Sequence, residues 1–207
     1  MIGDHKQLRP KCQHYPLTVE SNRGFDLNCS LFERLALANP ISTLGIQHRM
    51  HPDISSIPRL VTYNELQDAS TTNDHPCVSG LASRVIFINH DSPEDNQNVG
   101  ALESVSKTNS HERDMIVETV KYMLKQGYLP SDIVVLTPYL GQMLKLQSDL
   151  AIKDLAVSLD ERDINEARDQ LRGDENFAAE LSNAKRPDQS LACAASIRVA
   201  TIDNYQG

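Results

Sequence analysis

Four short clusters in this 207-residue chain carry side chains suited to phosphate binding and hydrogen-bonded recognition. Gly3-Asp4-His5-Lys6-Gln7-Leu8-Arg9-Pro10 places a carboxylate and an amide on a tight loop. The Gln7 amide both donates and accepts, so it can sense a phosphate oxygen or a water. Gln47-His48-Arg49-Met50-His51-Pro52 carries a guanidinium. Such a group forks onto phosphate through two parallel hydrogen bonds and stabilises charge that develops in phosphoryl transfer. Thr137-Pro138-Tyr139-Leu140-Gly141-Gln142 offers a hydroxyl, an aromatic face and an amide at a helix start, where free N–H groups attract phosphate. Thr201-Ile202-Asp203-Asn204-Tyr205-Gln206-Gly207 repeats that mixture, with Asp203 and Gln206 able to bridge a nucleotide and a nucleic acid across one loop. Taken singly, the clusters also fit plainer readings: a surface turn at Gln7, an Arg49–Asp53 ion pair, and a proline-shaped turn with a part-buried Tyr139.

The elements that must position these clusters are short apolar strands alternating with helices. Met1-Ile2-Gly3-Asp4 reads as the tail of a strand, and residues 10–28 as a long surface loop. Ser30 and Glu33 form a capping box for a helix whose apolar face is Leu31, Phe32, Leu35 and Leu37, ended by Asn39-Pro40. Ile41–Ile46 is a short strand delivering Gln47, and Asp53 opens a helix through Ile54, Ile57 and Leu60 with Pro58 in its early turns. Residues 64–82 and 90–110 read as loops on either side of a strand, Arg84–Asn89. Glu112–Gln126 is the clearest helix, with Met115, Ile116, Val120, Met123 and Leu124 on one stripe and Gly127 as its stop. Ile133–Thr137 is a fully apolar strand, followed by a helix to about Leu150. Residues 153–190 are charged and Ala-rich and read as an insertion, helical in part, and Ile197–Ile202 is the last strand. This alternation predicts an α/β layer with a mostly parallel sheet flanked by helices, with ligand groups on loops at the carboxyl ends of the strands.

Composition narrows the class. The formal charge is 20 − 28 = −8, which argues against a free-standing electrostatic nucleic-acid binder. About half of that excess sits in residues 151–190, with ten acidic against six basic residues. No apolar run approaches the roughly 20 residues that span a bilayer, and the start lacks a signal pattern, so a nuclear or cytoplasmic location with no membrane partner is expected. Cys12, Cys29, Cys77 and Cys193 form no CxxC pair, so buried free thiols are expected rather than zinc, and no metal ligand set is assigned.

GDHKQLRP, SLFERL at Ser30–Leu35, QHRMHPDIS at Gln47–Ser55, LTPYLGQ at Leu136–Gln142 and ATIDNYQG at Ala200–Gly207 occur in the order found in superfamily 1 helicases. The chain resembles the DNA2/NAM7-like, nonsense-mediated-decay helicase branch, and most of all the fungal NF-X-type zinc-finger helicases, a family implicated in RNA silencing. Each motif is weak alone; five in order are specific. The resemblance covers nearly all of the chain, with 64–110 and 153–190 the weakest parts.

It implies a RecA-like P-loop NTPase fold: residues 1–39 as the tail of a first RecA-like domain with its connector, and residues 40–207 as an incomplete second helicase domain. It also implies roles. Gln7 matches the motif III glutamine that senses the γ-phosphate, and Arg49 the motif IV arginine finger, with Gln47 beside it at the nucleotide. Thr137, Tyr139 and Gln142 match a loop that touches the nucleic-acid backbone, as does Thr201 of motif V. Asp203 and Gly207 fall at the nucleotide side of motif V, and Asn109 with Glu112 fits a structural helix start. His48 stands where many relatives have Tyr, which leaves adenine stacking there in doubt.

The sequence has no GxxxxGK[ST] cradle, and no Walker B Asp-Glu pair for Mg²⁺ is identified. ATP and Mg²⁺ are therefore expected in a full-length helicase, with neither held tightly by these residues and no hydrolysis by them alone. The expected partners are single-stranded RNA in preference to DNA, the missing first RecA-like domain and an RNA-silencing complex. A non-catalytic scaffold or binding module using the helicase surface is the alternative.

Overall fold

Two parallel strand ladders carry three of the four clusters in the computed structural model; the Gly3–Pro10 cluster lies on a loop with no strand. The structure describes residues 1–12, 14–95, 107–152, 157–159, 161–170 and 196–205. The chain divides into two compact units, Met1–Ile86 and Phe87–Gly207, each taken by itself below.

In the second unit, β3 (Val134–Thr137), β5 (Ile197–Thr201) and β4 (Val157–Leu159) form a parallel sheet in the order β3-β5-β4. The register aligns Thr137 with Thr201, so two clusters leave the sheet side by side at its carboxyl edge. Helix α3 (Ser110–Lys125) starts where the Asn109 side chain accepts the Glu112 N–H, and it ends at Gly127, whose φ of +97° is the left-handed turn that favours glycine. Helix α4 (Leu140–Ile152) buries Met143, Leu146 and Leu150 completely, at three- and four-residue spacing. These side chains meet Val117 and Val120 of α3 and Ile197 and Val199 of β5 in one core. Truncating any of the larger ones to Ala costs about 2–5 kcal/mol, so this core is what holds the sheet edge in place.

The stretch read as an insertion supplies part of the sheet. Leu159 pairs with Val199, and helix α5 (Glu161–Gln170) follows at once and buries Asp163 and Ala167 fully. Residues 171–195 of that stretch, including Lys185-Arg186-Pro187, lie outside the described residues. The apolar β3 is covered on one face only, since Val134 and Leu136 stay 42% and 45% exposed.

In the first unit, Ser30 caps α1 (Leu31–Ala38) by accepting the Glu33 N–H. The apolar face expected of α1 is mostly uncovered: Leu31, Leu35 and Leu37 are exposed, and Phe32 is half-buried. The strand expected at 41–46 is displaced to β1 (Ile46–Gln47), paired in parallel with β2 (Gln67–Asp68) inside the stretch read as a loop. Helix α2 (Pro52–Val61) forms as expected, with Pro52 at its first position and Pro58 inside it.

Arg84–Asn89, expected as a strand, is not one. Its β-branched and aromatic side chains satisfy the preference for a pleated surface, but a strand exists only through its ladder, and no described strand pairs with it. Phe87 accordingly stays 88% exposed. The division between units falls within this run, between Ile86 and Phe87. Among the described cysteines the thiols are free, but Cys77 is exposed and Cys12 and Cys29 are half-buried, so burial is not what keeps them apart.

Candidate nucleotide and nucleic-acid site

The loop carrying Arg49 is built by Gln47. The Gln47 amide oxygen accepts the Arg49 and Met50 N–H groups at 2.8 and 2.7 Å. Its amide nitrogen donates to the Met50 carbonyl at 2.6 Å and to Asp68 Oδ1 at 2.7 Å. Both donors and both lone pairs are thereby used, which leaves Gln47 no group for a nucleotide and makes it a support for Arg49. Asp68 completes the support: it also accepts from Ser55 Oγ at 2.7 Å and pairs with Arg59 at 3.1 Å, tying β2 to α2. The Ser55 and Gln47 hydrogen bonds, with Arg59 nearby, hold its carboxyl below the usual carboxylate range.

Arg49 itself is exposed, and among the described residues its guanidinium meets no hydrogen-bond or ion-pair partner. The plainer reading of an Arg49–Asp53 pair is not realised. Asp53 instead pairs with Arg84 and His51, both at 3.3 Å.

Gln7 sits on an exposed loop and donates to Asp4 Oδ2 at 3.1 Å. Tyr63, just past α2, donates to the same oxygen at 2.6 Å. Burial acts to raise the Asp4 carboxyl, but these bonds and the Lys6 N–H outweigh it and hold the group below its usual range. Gly3 needs to be glycine, because a Cβ there would lie 2.8 Å from Phe32 Cγ.

At the carboxyl edge of the second unit's sheet, Thr137 is buried and its hydroxyl accepts the Tyr139 N–H at 3.3 Å. Tyr139 is 42% exposed, with Lys107 Nζ 5.7 Å from its ring centroid. An exposed aromatic face beside an ammonium suits a stacked base and its phosphate. Lys107 also pairs with Glu94 at 2.9 Å, and that hydrogen bond raises its pKa.

Gln142 behaves differently from the expectation. It is buried, its amide oxygen accepts the Asn109 N–H at 2.9 Å, and its nitrogen donates to the Asn109 carbonyl at 3.0 Å. That two-way bond joins α4 to the start of α3 and commits both polar atoms to the protein's own main chain. Thr201 is likewise buried, with its N–H and hydroxyl both donated to Asp163. Asp203 is exposed, and Gly207 lies outside the described residues. Asp163 was hidden in the charged stretch; its signal is an acid in the first turn of a helix that follows a strand at once.

Among the described residues no cluster of three or more His, Cys, Asp or Glu is arranged to hold a metal ion, and no helix is long and apolar enough to cross a membrane.

Parallel strands feeding helices, with polar clusters at their carboxyl ends, fit a RecA-like P-loop NTPase fold. An AAA-domain family model matches residues 27–207. Mouse NFX1-type zinc finger-containing protein 1 is 37% identical over 157 residues, 75% of this chain and 8% of that protein. The Schizosaccharomyces pombe helicase required for RNAi-mediated heterochromatin assembly 1 is 34% identical over 209 residues, 100% of this chain and 16% of that protein. The ATP-dependent helicase upf1 of the same yeast is 32% identical over 154 residues, 69% of this chain and 15% of that protein. The chain belongs to the superfamily 1 helicases of the DNA2/NAM7 type. It spans 8% to 16% of the length of these three relatives.

Proposed function

We propose that this chain supplies an ATP-dependent helicase with an arginine finger, Arg49, and with part of its track for single-stranded RNA. In this reading residues 1–39 close a first RecA-like domain and residues 40–207 form most of the second. The observation that carries it is the Arg49 loop: Gln47 fixes the main chain at Arg49 and Met50, while the guanidinium stays exposed and without a partner among the described residues. A guanidinium held out on a fixed loop is arranged to meet a charged group on another body, and phosphate is the group whose geometry it matches. Gln7 senses the nucleotide from the first domain, and Tyr139 with Lys107 takes one base and its phosphate. Gln47, Gln142 and Thr201 act one step back, as supports. RNA is preferred to DNA because the Schizosaccharomyces pombe helicase required for RNAi-mediated heterochromatin assembly 1 is 34% identical over the whole chain, whereas the human DNA replication ATP-dependent helicase/nuclease DNA2 is 28% identical over 189 residues. The same likeness supports a role in RNA silencing, and a nuclear or cytoplasmic location fits that role.

The test is ATP hydrolysis by the intact helicase containing this segment, stimulated by RNA or by DNA, with and without Arg49→Ala. An arginine finger contributes about 10³–10⁵ in kcat, so Arg49→Ala is expected to lower stimulated turnover by at least about 10³-fold while ATP binding is kept. Turnover within about threefold of wild type would refute the role of Arg49 and favour a scaffold.

A further inference from the structure

Among the described residues Asp163 is the only fully buried carboxylate, and the reading above gives it no task. A buried carboxylate persists only with donors around it. Among the described residues, its donors come from one turn of chain. Thr201 donates its N–H to Oδ2 at 3.0 Å and its hydroxyl to Oδ1 at 2.5 Å. Asn204 donates its side-chain amide to Oδ1 at 2.6 Å and to Glu166 Oε2 at 3.1 Å. Thr201 is the last residue of β5, and the Asn204 and Tyr205 N–H groups turn back to its carbonyl at 3.3 and 3.0 Å. The carboxylate thus grips both ends of the turn that carries Ile202 and Asp203 outward.

The register explains how an acid from the charged stretch reaches this place. β4 runs parallel to β5 with Leu159 opposite Val199, so a helix opening at Glu161 begins beside the carboxyl end of β5. Ala167, four residues after Asp163 and also fully buried, seats the same face of α5 against the core. Packing alone would be met by an apolar residue of similar size. A carboxylate with three donors from one turn selects one conformation of that turn.

We propose that Asp163 is a positioning residue of the helicase: through Thr201 and Asn204 it fixes the turn after β5 and so couples that turn to RNA engagement. This rests on the reading of the β5 edge as part of the RNA track. Asp163→Asn keeps the shape but turns one of the two acceptor oxygens into an N–H donor facing Thr201 or Asn204. The assay is ATP hydrolysis by the intact helicase titrated with single-stranded RNA. Asp163→Asn is expected to raise the half-stimulating RNA concentration about tenfold while the KM for ATP moves less than about twofold. If the variant is too unstable to assay, Asn204→Ala replaces it; it removes one donor and is expected to raise that concentration about threefold. A half-stimulating concentration within about twofold of wild type, or an equal rise in the KM for ATP, overturns the assignment. A wild type that RNA does not stimulate overturns the helicase reading beneath it, and the coupling role with it.

Discussion

Gln142 separates a support from a contact most sharply, because the family likeness and the geometry give it different tasks. Replacing it with Leu keeps volume and removes both polar atoms. The Asn109 N–H, in a residue only 6% exposed, then loses its acceptor, and an orphaned buried donor costs about 1–3 kcal/mol. The Asn109 carbonyl loses less, because it still accepts the Arg113 N–H at 3.1 Å; a second bond to it is worth about 0.5–1.5 kcal/mol. Together Gln142→Leu is expected to destabilise the chain by about 1.5–4.5 kcal/mol, a fall in Tm of roughly 3–18 °C for a chain of this size. Gln142→Glu keeps the acceptor for the Asn109 N–H and loses the donor to its carbonyl. Protonation restores that donor, so this variant should recover towards wild type as pH falls through its carboxyl range. Urea and thermal unfolding of the 207-residue chain read all three proteins. If Gln142→Leu unfolds within about 0.5 kcal/mol of wild type while the intact helicase loses RNA affinity, the clamp is wrong and Gln142 touches the nucleic acid after all.

Three further outcomes follow from named contacts. Tyr139→Ala in the intact helicase should weaken single-stranded RNA binding by about 1–3 kcal/mol, the worth of one stacked base; unchanged affinity by filter binding would remove Tyr139 from the track. The 207-residue chain should not hydrolyse ATP, since its sequence carries no GxxxxGK[ST] cradle, and turnover by the pure chain would show a second site. Asp95 is raised by burial but held well below the usual carboxylate range by hydrogen bonds from Lys145 Nζ, the Ser110 N–H and hydroxyl, and the Thr108 hydroxyl. A depressed folded pKa gives stability that is present above the unfolded value, near about 3.9, and is lost as pH falls through the folded one. Asp95→Asn should therefore cost about 2 kcal/mol at neutral pH, with the gap to wild type closing only below about pH 4. A gap that stays constant from neutral to strongly acidic pH would show that the charge is not what matters.

What the sequence made legible was local. The Asn109 cap, the Gly127 stop and the apolar run before Thr137 need only neighbouring residues, and all three stand where the pattern places them. Ladder pairing needs a partner far along the chain, which is why Arg84–Asn89 looked like a strand and β1–β2 did not. β4 was masked by its composition: Val157-Ser158-Leu159 is three residues long, sits in a charged stretch, and owes its place to β5. The same limit applied to the clusters. Residue types announced polar chemistry at Gln47, Gln142 and Thr201, but whether an amide or hydroxyl faces a ligand or the protein's own main chain depends on tertiary neighbours.

Those inward bonds have a common logic. At each cluster a buried or half-buried polar residue is committed to the protein while a close neighbour is left exposed: Gln47 beside Arg49, Gln142 beside Tyr139, and Thr201 and Asn204 around Asp203. A loop that must meet phosphate on another body gains nothing from an exposed arginine whose main chain wanders, because each mobile dihedral adds an entropic cost at the moment of contact. Fixing the main chain with an amide or a hydroxyl removes that cost without using the charged group itself. On the proposed function, the inward residue then matters to engagement of the partner although it touches no ligand. Substituting it should change how well a partner is engaged at unchanged contact chemistry, which is the signature sought at Asp163.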